Sequence, residues 1–470
     1  MISRLLAILV AAGLLVAVPA ARQQTFDLVI SGGRVMDPES GVDAVRNVGI
    51  NVGRIAAISA DPLSGRSTIN AAGRVVAPGF IDLHAHGQDS DGYRFQALDG
   101  VTSSFELEVG ASDIDGWYAK RAPGQLINHG VSVGHIQVRM AVMKDPGTFL
   151  PTGSGAHGKA SPADVKAIAA GIEAGLRRGA VSVGAGFPYT PAAARDELLE
   201  VFRVAGRHGA SVHVHIRRGA AGLEEALALA DEGKSALHVV HLNSAGLAQT
   251  PRMLEMIVAA RASGRDVTTE AYPYTAGMTE IKSANLDEYE KPDANLLLLE
   301  WPRTGERLTR ESFNRYRREG GPVIIHTNTE EMVAVAINSP LTMIASDSYW
   351  ENGTGHPRTT GTFSRVLGRY ARAPGSLRLM DALRKMTLMP AQRLEARVPA
   401  MRTKGRLKVG ADADVVVFDA ARVIDQSTYR TPSRPPIGID DVVVNGVPVV
   451  SDGRIVEGVT PGRAVRAPVQ

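Results

Sequence analysis

The rhythm of apolar and polar positions changes twice along this chain. Near the start the apolar runs are short, at residues 26–30, 48–50, 54–58 and 74–76, with Gly32-Gly33, Gly53 and Gly73 between them. Short runs bounded by glycines predict β-strands. The C-terminal end repeats the pattern at residues 415–418, 441–444 and 447–450, with turn signals at Asn445-Gly446 and Asp452-Gly453. Pro448 predicts that the last of these strands lies at a sheet edge, because proline cannot donate to a ladder. Two β-rich flanks, residues 21–77 and 396–470, predict one small β-sandwich assembled from both chain ends.

The middle, residues 78–395, alternates apolar strands with amphipathic helices. Strands are predicted at residues 79–83, 101–108, 133–140, 181–183, 212–215, 238–241, 267–271, 323–326 and 343–345. Helices are predicted at residues 162–178, 196–208 and 222–231. This alternation is the signature of a parallel sheet, and about eight such units favour a closed (β/α)8 TIM barrel within an α/β fold. Such barrels carry their chemistry at the C-terminal ends of the strands.

Composition adds constraints. The chain has 470 residues, 44% hydrophobic and 21% charged, which suits a barrel with a satellite domain. A net charge of +3 from scattered basic residues argues against a nucleic-acid partner. Arg4, an apolar stretch over residues 5–18, then Pro19-Ala20-Ala21 before Arg22 read as a secretory signal over residues 1–20. The stretch is short for a membrane span, which needs roughly 20 apolar residues. The expectation is an exported, periplasmic protein with no stable membrane partner after cleavage; an uncleaved anchor is the alternative. There is no cysteine, so there are no disulfides, and any metal site draws on His, Asp, Glu or a modified Lys. No Lys falls at a strand end, so a carboxylated Lys is not invoked.

The chemistry-bearing residues sit where the barrel rule puts them. His84 and His86 follow the first strand; two apart, they share a face and can reach one ion. His215 and His241 end two later strands, and Asp347 follows another within Ser346-Asp347-Ser348. Glu106 and Glu108 lie at period two on a buried strand, where a carboxylate must be paired, protonated or metal-bound. Glu108 is nearer the C-terminal end and is the preferred ligand; Glu106 is then a supporting carboxylate or an alternative ligand.

Ala77-Pro78-Gly79-Phe80-Ile81-Asp82-Leu83-His84-Ala85-His86 resembles the first-strand motif of the amidohydrolase superfamily, and residues 410–418 with Val444-Asn445-Gly446 resemble its C-terminal β-domain. Within that superfamily, Gly134-His135 through Met143, Tyr272-Pro273-Tyr274-Thr275-Ala276-Gly277, Pro340-Leu341-Thr342 with Ser346-Asp347, and His356-Pro357-Arg358 through Tyr370 resemble the N-acyl-D-amino-acid deacylases, which include the D-aminoacylases and N-acyl-D-glutamate deacylases. The resemblance implies zinc, one ion or two, held mainly by His215, His241 and a residue near Glu108. His84, His86 and Asp347 would form a second, weaker or vacant site. It implies that Tyr272 stabilises the oxyanion and that Arg358 pairs with the carboxylate of a small-molecule substrate. Asp347 would take a proton from the attacking water and deliver it to the leaving amine. Three positions depart from the pattern. Glu106-Leu107-Glu108 stands where a Cys is usual, and a carboxylate, a harder ligand than a thiolate, is expected to shift metal preference towards Mn2+ or other harder ions. Asn243 replaces a Lys, and Met278 replaces a small hydroxyl residue; both bear on the substrate. The implied activity is metal-dependent deacylation of N-acyl-D-amino acids, with an exported metallo-dipeptidase or a cyclic-amide or lactone hydrolase as the alternative.

Overall fold

The computed structural model describes residues 25–351, 353–373 and 377–470. The expected signal, residues 1–20, lies outside them. Eight strands run parallel, each beside its sequence neighbours: β1 (Phe80–Asp82), β2 (Val101–Ala111), β3 (Asn128–Gly134), β4 (Val183–Gly186), β5 (Ser211–His215), β6 (Ala236–Val239), β7 (Val267–Ala271) and β8 (Thr342–Ile344). Helices return the chain between them. The helix Pro162–Arg177 shows why they start where they do: Ser161 and Asp164 form a reciprocal capping box, and proline occupies the first turn, where its missing N–H costs nothing.

β8 meets β1 through side chains more than through a backbone ladder. Asp82 on β1 is buried; its Oδ1 accepts from Ser346 N at 3.0 Å and from His84 N at 3.2 Å. Its Oδ2 accepts from the Ser346 hydroxyl and from Gln96 Nε2 at 2.9 Å. One backbone bond, His86 N to Ser348 O at 2.9 Å, completes the seam.

Both chain ends form one nine-stranded sheet. The strand Thr25–Asp37 pairs with Ser64–Asn70 along its first half and with Val75–Pro78 along its second, and the change falls where its register slips between Ile30 and Gly33. Val75–Pro78 then pairs with Val415–Phe418, which joins the N-terminal half to the C-terminal half. Period-two alternation divides the residues cleanly. Ile30, Val48, Ile50, Val415 and Val417 share one enclosed apolar layer, while Val75, Ala77, Val416 and Phe418 pack with Phe80 and Phe363 against the barrel.

Three strand expectations are corrected. The run at residues 133–140 divides: β3 ends at Gly134 and the helix His135–Met143 begins. His135 and Arg139 both reach the buried Glu197, each at 2.8 Å. On a strand, residues four apart stand about 13 Å from each other, too far to share one carboxylate. Residues 323–326 do form a strand, Pro322–His326, but it lies in a separate antiparallel sheet with Ala276–Glu280, Leu299–Trp301 and Glu306–Arg307. That sheet, inserted between β7 and β8, has its own core around Trp301, Phe313 and Tyr316. Pro448 is one strand in from the edge, because Arg454–Ile455 pairs outside its strand; it is accommodated where the register slips opposite Val442 and Val443. Among the described residues no helix is long and apolar enough to cross a membrane.

The seam predicts a stability effect. Asp82→Ala strands the Ser346 hydroxyl and amide in the interior, at roughly 1–3 kcal/mol for each buried group left unpaired. The thermal unfolding midpoint of metal-free protein is expected to fall by several degrees; an unchanged midpoint contradicts the seam's role.

Candidate active site

The C-terminal ends of β1, β2, β5, β6 and β8 place their side chains around one point. His84 and His86 lie just past β1, Glu108 on β2, His215 at the end of β5, His241 past β6 and Asp347 past β8. His241 and Asp347 both have left-handed backbone, with φ of 33° and 51°. That conformation is uncommon for residues with a Cβ and turns both side chains inward where the strands end.

Glu108 is the hub. Its Oε2 lies 2.6 Å from His84 Nε2 and 3.4 Å from His86 Nε2. Its Oε1 lies 2.9 Å from His215 Nδ1, and His241 Nε2 is 3.1 Å from that same nitrogen. Asp347 Oδ1 stands 3.4 Å from His84 Nε2 and 3.3 Å from His86 Nε2. Two groups of potential metal ligands result, His84, His86, Glu108 and Asp347 on one side and Glu108, His215 and His241 on the other.

The far nitrogens show that these atoms suit a cation. His84 Nδ1 is 2.6 Å from Glu270 Oε1, and His86 Nδ1 is 2.6 Å from Glu106 Oε2. A neutral imidazole that donates from Nδ1 presents a lone pair on Nε2. The two Nε2 atoms then face each other at 3.1 Å, two acceptors with no hydrogen between them. Imidazoles and carboxylates crowded in this way fit zinc or manganese.

The electrostatics of the metal-free cluster point the same way. Burial disfavours a charge on His84, but Asp347, Glu108 and Glu270 outweigh it and raise its pKa to about 10. His86 is raised as well, against burial, chiefly by Glu106. Burial and the neighbouring His215 push His241 down to about 3. Burial also opposes ionisation of Glu108 and Asp347, yet both are held below the usual carboxylate range, Glu108 by His215 and His84 and Asp347 by Arg358 and His84. The cluster thus draws in positive charge, as protons when no metal is bound.

Around the cluster is a narrow cavity of about 60 Å3, lined in part by Phe149, Arg218, Met278, Thr327 and Tyr349. The inserted sheet contributes Gly277, Met278, Thr279 and Ile325 to its wall. Tyr272 is buried, and burial pushes its hydroxyl up to about 12, so it stays protonated. Arg358, fully buried at the start of the helix Arg358–Arg365, reaches Asp347 Oδ2 with Nη1 at 2.9 Å and lies 4.7 Å over the Tyr272 ring. Its Nε and Nη2 have no hydrogen-bond partner among the described residues. Gly277 keeps this corner open: a Cβ there would lie 3.2 Å from Tyr272 Oη and 4.0 Å from Arg358 Nη1. Asn243 donates to the Tyr272 carbonyl at 3.2 Å.

All six candidate ligands come together, with Tyr272 and Arg358 beside them. Glu108 lies at the centre and Glu106 supports His86. Sequence reasoning missed Glu270, His238 behind it, and Asp82. Glu270 carried the same signal that exposed Glu106 and Glu108, a carboxylate within a buried strand.

The Amidohydrolase family profile matches residues 75–456. An N-acyl-D-glutamate deacylase of Alcaligenes xylosoxydans xylosoxydans is 31% identical, with 91% of this chain and 94% of that protein covered. A D-aminoacylase of the same organism is 30% identical over 91% of this chain and 95% of its own length. Among solved structures, a D-aminoacylase superposes with a TM-score of 0.80 at 29% identity, covering 94% of this chain and all of that one. The N-acyl-D-glutamate deacylase from Bordetella bronchiseptica, complexed with zinc and a phosphonate mimic of the tetrahedral intermediate, also gives 0.80, at 27% identity over 94% of this chain and all of its own. With the barrel, the strand-end ligands and the two-ended β-sheet in agreement, this chain belongs to the amidohydrolase family.

Proposed function

We propose that the protein is a zinc-dependent deacylase that hydrolyses N-acyl-D-amino acids to a carboxylate and a free D-amino acid. The observation that carries this reading is the pair of ligand groups joined at Glu108, set in a cavity beside a buried arginine with two unpaired nitrogens. The likeness to D-aminoacylase and N-acyl-D-glutamate deacylase along nearly the whole chain supports the substrate class.

His84, His86, Glu108, His215, His241 and Asp347 would hold the metal. Zinc there supplies a Lewis acid that polarises the amide carbonyl and lowers the pKa of water. Asp347 is ionised at neutral pH, so it accepts the proton of the attacking water and passes it to the leaving nitrogen. Tyr272, protonated at neutral pH, donates to the developing oxyanion. Arg358 keeps Asp347 charged through Nη1, and the open Nε and Nη2 suit the substrate carboxylate. Gly277 leaves the room for that approach. Export belongs to the same reading: Arg4, the apolar residues 5–18 and the small residues before Arg22 support it, and N-terminal sequencing of secreted protein should find a chain beginning at Ala21.

Amino-acid release from N-acetyl-D- and N-acetyl-L-amino acids, with and without zinc, tests the activity. Zinc-dependent release from the D-series alone is expected. Protein that holds metal yet releases nothing from either series turns the reading towards dipeptides and cyclic amides. Asp347→Asn is expected to lower kcat by at least about 10²-fold, the usual scale for a lost general base, while His84, His86 and Glu108 retain metal; wild-type turnover would remove Asp347 from the chemistry. Zinc loading should also release protons. His84, with its pKa near 10, is protonated at neutral pH in metal-free protein, and the ion must displace that proton. A pH-indicator dye in weak buffer at about pH 7.5 should record the release, which declines as pH rises through about 10. Zinc uptake with no proton release contradicts the charge state assigned to His84.

A further inference from the structure

We propose that the two halves of the metal centre are unequal, and that the stronger half is the one made by His84, His86 and Asp347 with Glu108. His215 and His241 form the weaker half. This reverses the order implied by resemblance, and it rests on the reading that the site holds metal.

The first ground is support behind the ligands. The carboxylates of Glu270 and Glu106 fix the tautomer and ring plane of His84 and His86, each over 2.6 Å. Such a partner typically contributes about 10–100-fold to metal affinity. Both are fixed in turn. Glu270 Oε2 lies 3.0 Å from His238 Nε2, and His238 Nδ1 lies 2.8 Å from the Thr268 hydroxyl deeper in the barrel. Glu106 Oε1 accepts from Val109 N at 3.1 Å. The Nε2 atoms of His84 and His86 are therefore aimed at one point before any ion arrives.

The other half lacks this support. His241 Nδ1 is buried and has no hydrogen-bond partner among the described residues, so nothing there selects its tautomer. His215 reaches the centre through Nδ1, the nitrogen nearer its own backbone, and is less buried than His84.

The second ground is charge. The stronger half has two carboxylate ligands, Glu108 and Asp347, and the weaker has only the shared Glu108. Arg358 offsets part of the charge of Asp347, but it pairs with Oδ2 and leaves Oδ1 facing His84 and His86. Glu106-Leu107-Glu108 stands where the deacylase pattern has a Cys, and the chain has no cysteine, so no thiolate favours the His215 side. The nearest oxygen–nitrogen approach at Glu108 is Oε2 to His84, 2.6 Å, against 2.9 Å from Oε1 to His215.

Titration of metal-free protein with zinc against a competing chelator tests the ranking without reference to turnover. Wild type is expected to bind a tight and a weaker equivalent. His241→Asn should keep the tight equivalent, and His86→Asn should lose it. Glu270→Gln preserves size and touches no metal, and it should weaken only the tight equivalent, by about 10–100-fold. Thermal midpoints of the metal-free variants show that each is folded. A tight equivalent that survives His86→Asn and disappears in His241→Asn overturns the ranking, as does an unmoved tight affinity in Glu270→Gln. Wild type that binds no zinc overturns the ranking and the metal reading together. Tight binding ranked the other way leaves the deacylase reading standing.

Discussion

One carboxylate between two pairs of imidazoles is the constraint on which the rest depends. Glu108 is almost wholly buried, and a charge in that position is tolerable only if it is compensated. Its two oxygens are shared between His84 and His215, which come from opposite sides of the barrel mouth. Bringing them together requires β1, β2 and β5 to end at one level, and a closed parallel barrel does this. The short seam fits the same demand. Asp82 holds the start of the Ser346-Asp347-Ser348 segment beside β1, so the stability of the seam and the position of Asp347 depend on the same contacts.

From that hub the environment grades outward. Next to the ligands are carboxylates, Glu106 and Glu270, that orient imidazoles. Beside Asp347 is Arg358, which holds it ionised and keeps two nitrogens open. Beyond lies the wall of the inserted sheet, with Met278, Ile325 and Thr327. The chemistry therefore belongs to the barrel, and the insertion closes one side of the cavity. The departure at Met278 falls in that wall and bears on which substrate fits, whereas Asn243 is buried behind it and holds the Tyr272 carbonyl.

Much of this was legible in the sequence, for a physical reason. Barrel strands are continuous apolar runs, so a His or Asp at the end of one stands out, and His84, His86, His215, His241 and Asp347 were all visible in this way. Glu106 and Glu108 were visible as carboxylates in a buried strand, but alternation alone gives them the same face. What separates them is depth along β2 and the register slip after Glu106 against β3. The strand Pro322–His326 was legible as a strand but not as part of an insertion, because an apolar run does not say which sheet it joins. The helix His135–Met143 was hidden because its short apolar run suits either period, and only Glu197, distant in sequence, decides between them. The pairing of Arg358 with Asp347 left no local signal, since it arises where the Arg358–Arg365 helix packs against the end of β8.

The most direct test of the central claim is anomalous diffraction at the zinc edge from crystals of the zinc-loaded protein. The account predicts a peak about 2.0–2.2 Å from a Glu108 carboxylate oxygen, the usual zinc–carboxylate distance. Zinc bound elsewhere in the barrel mouth, with Glu108 making no contact, would contradict it.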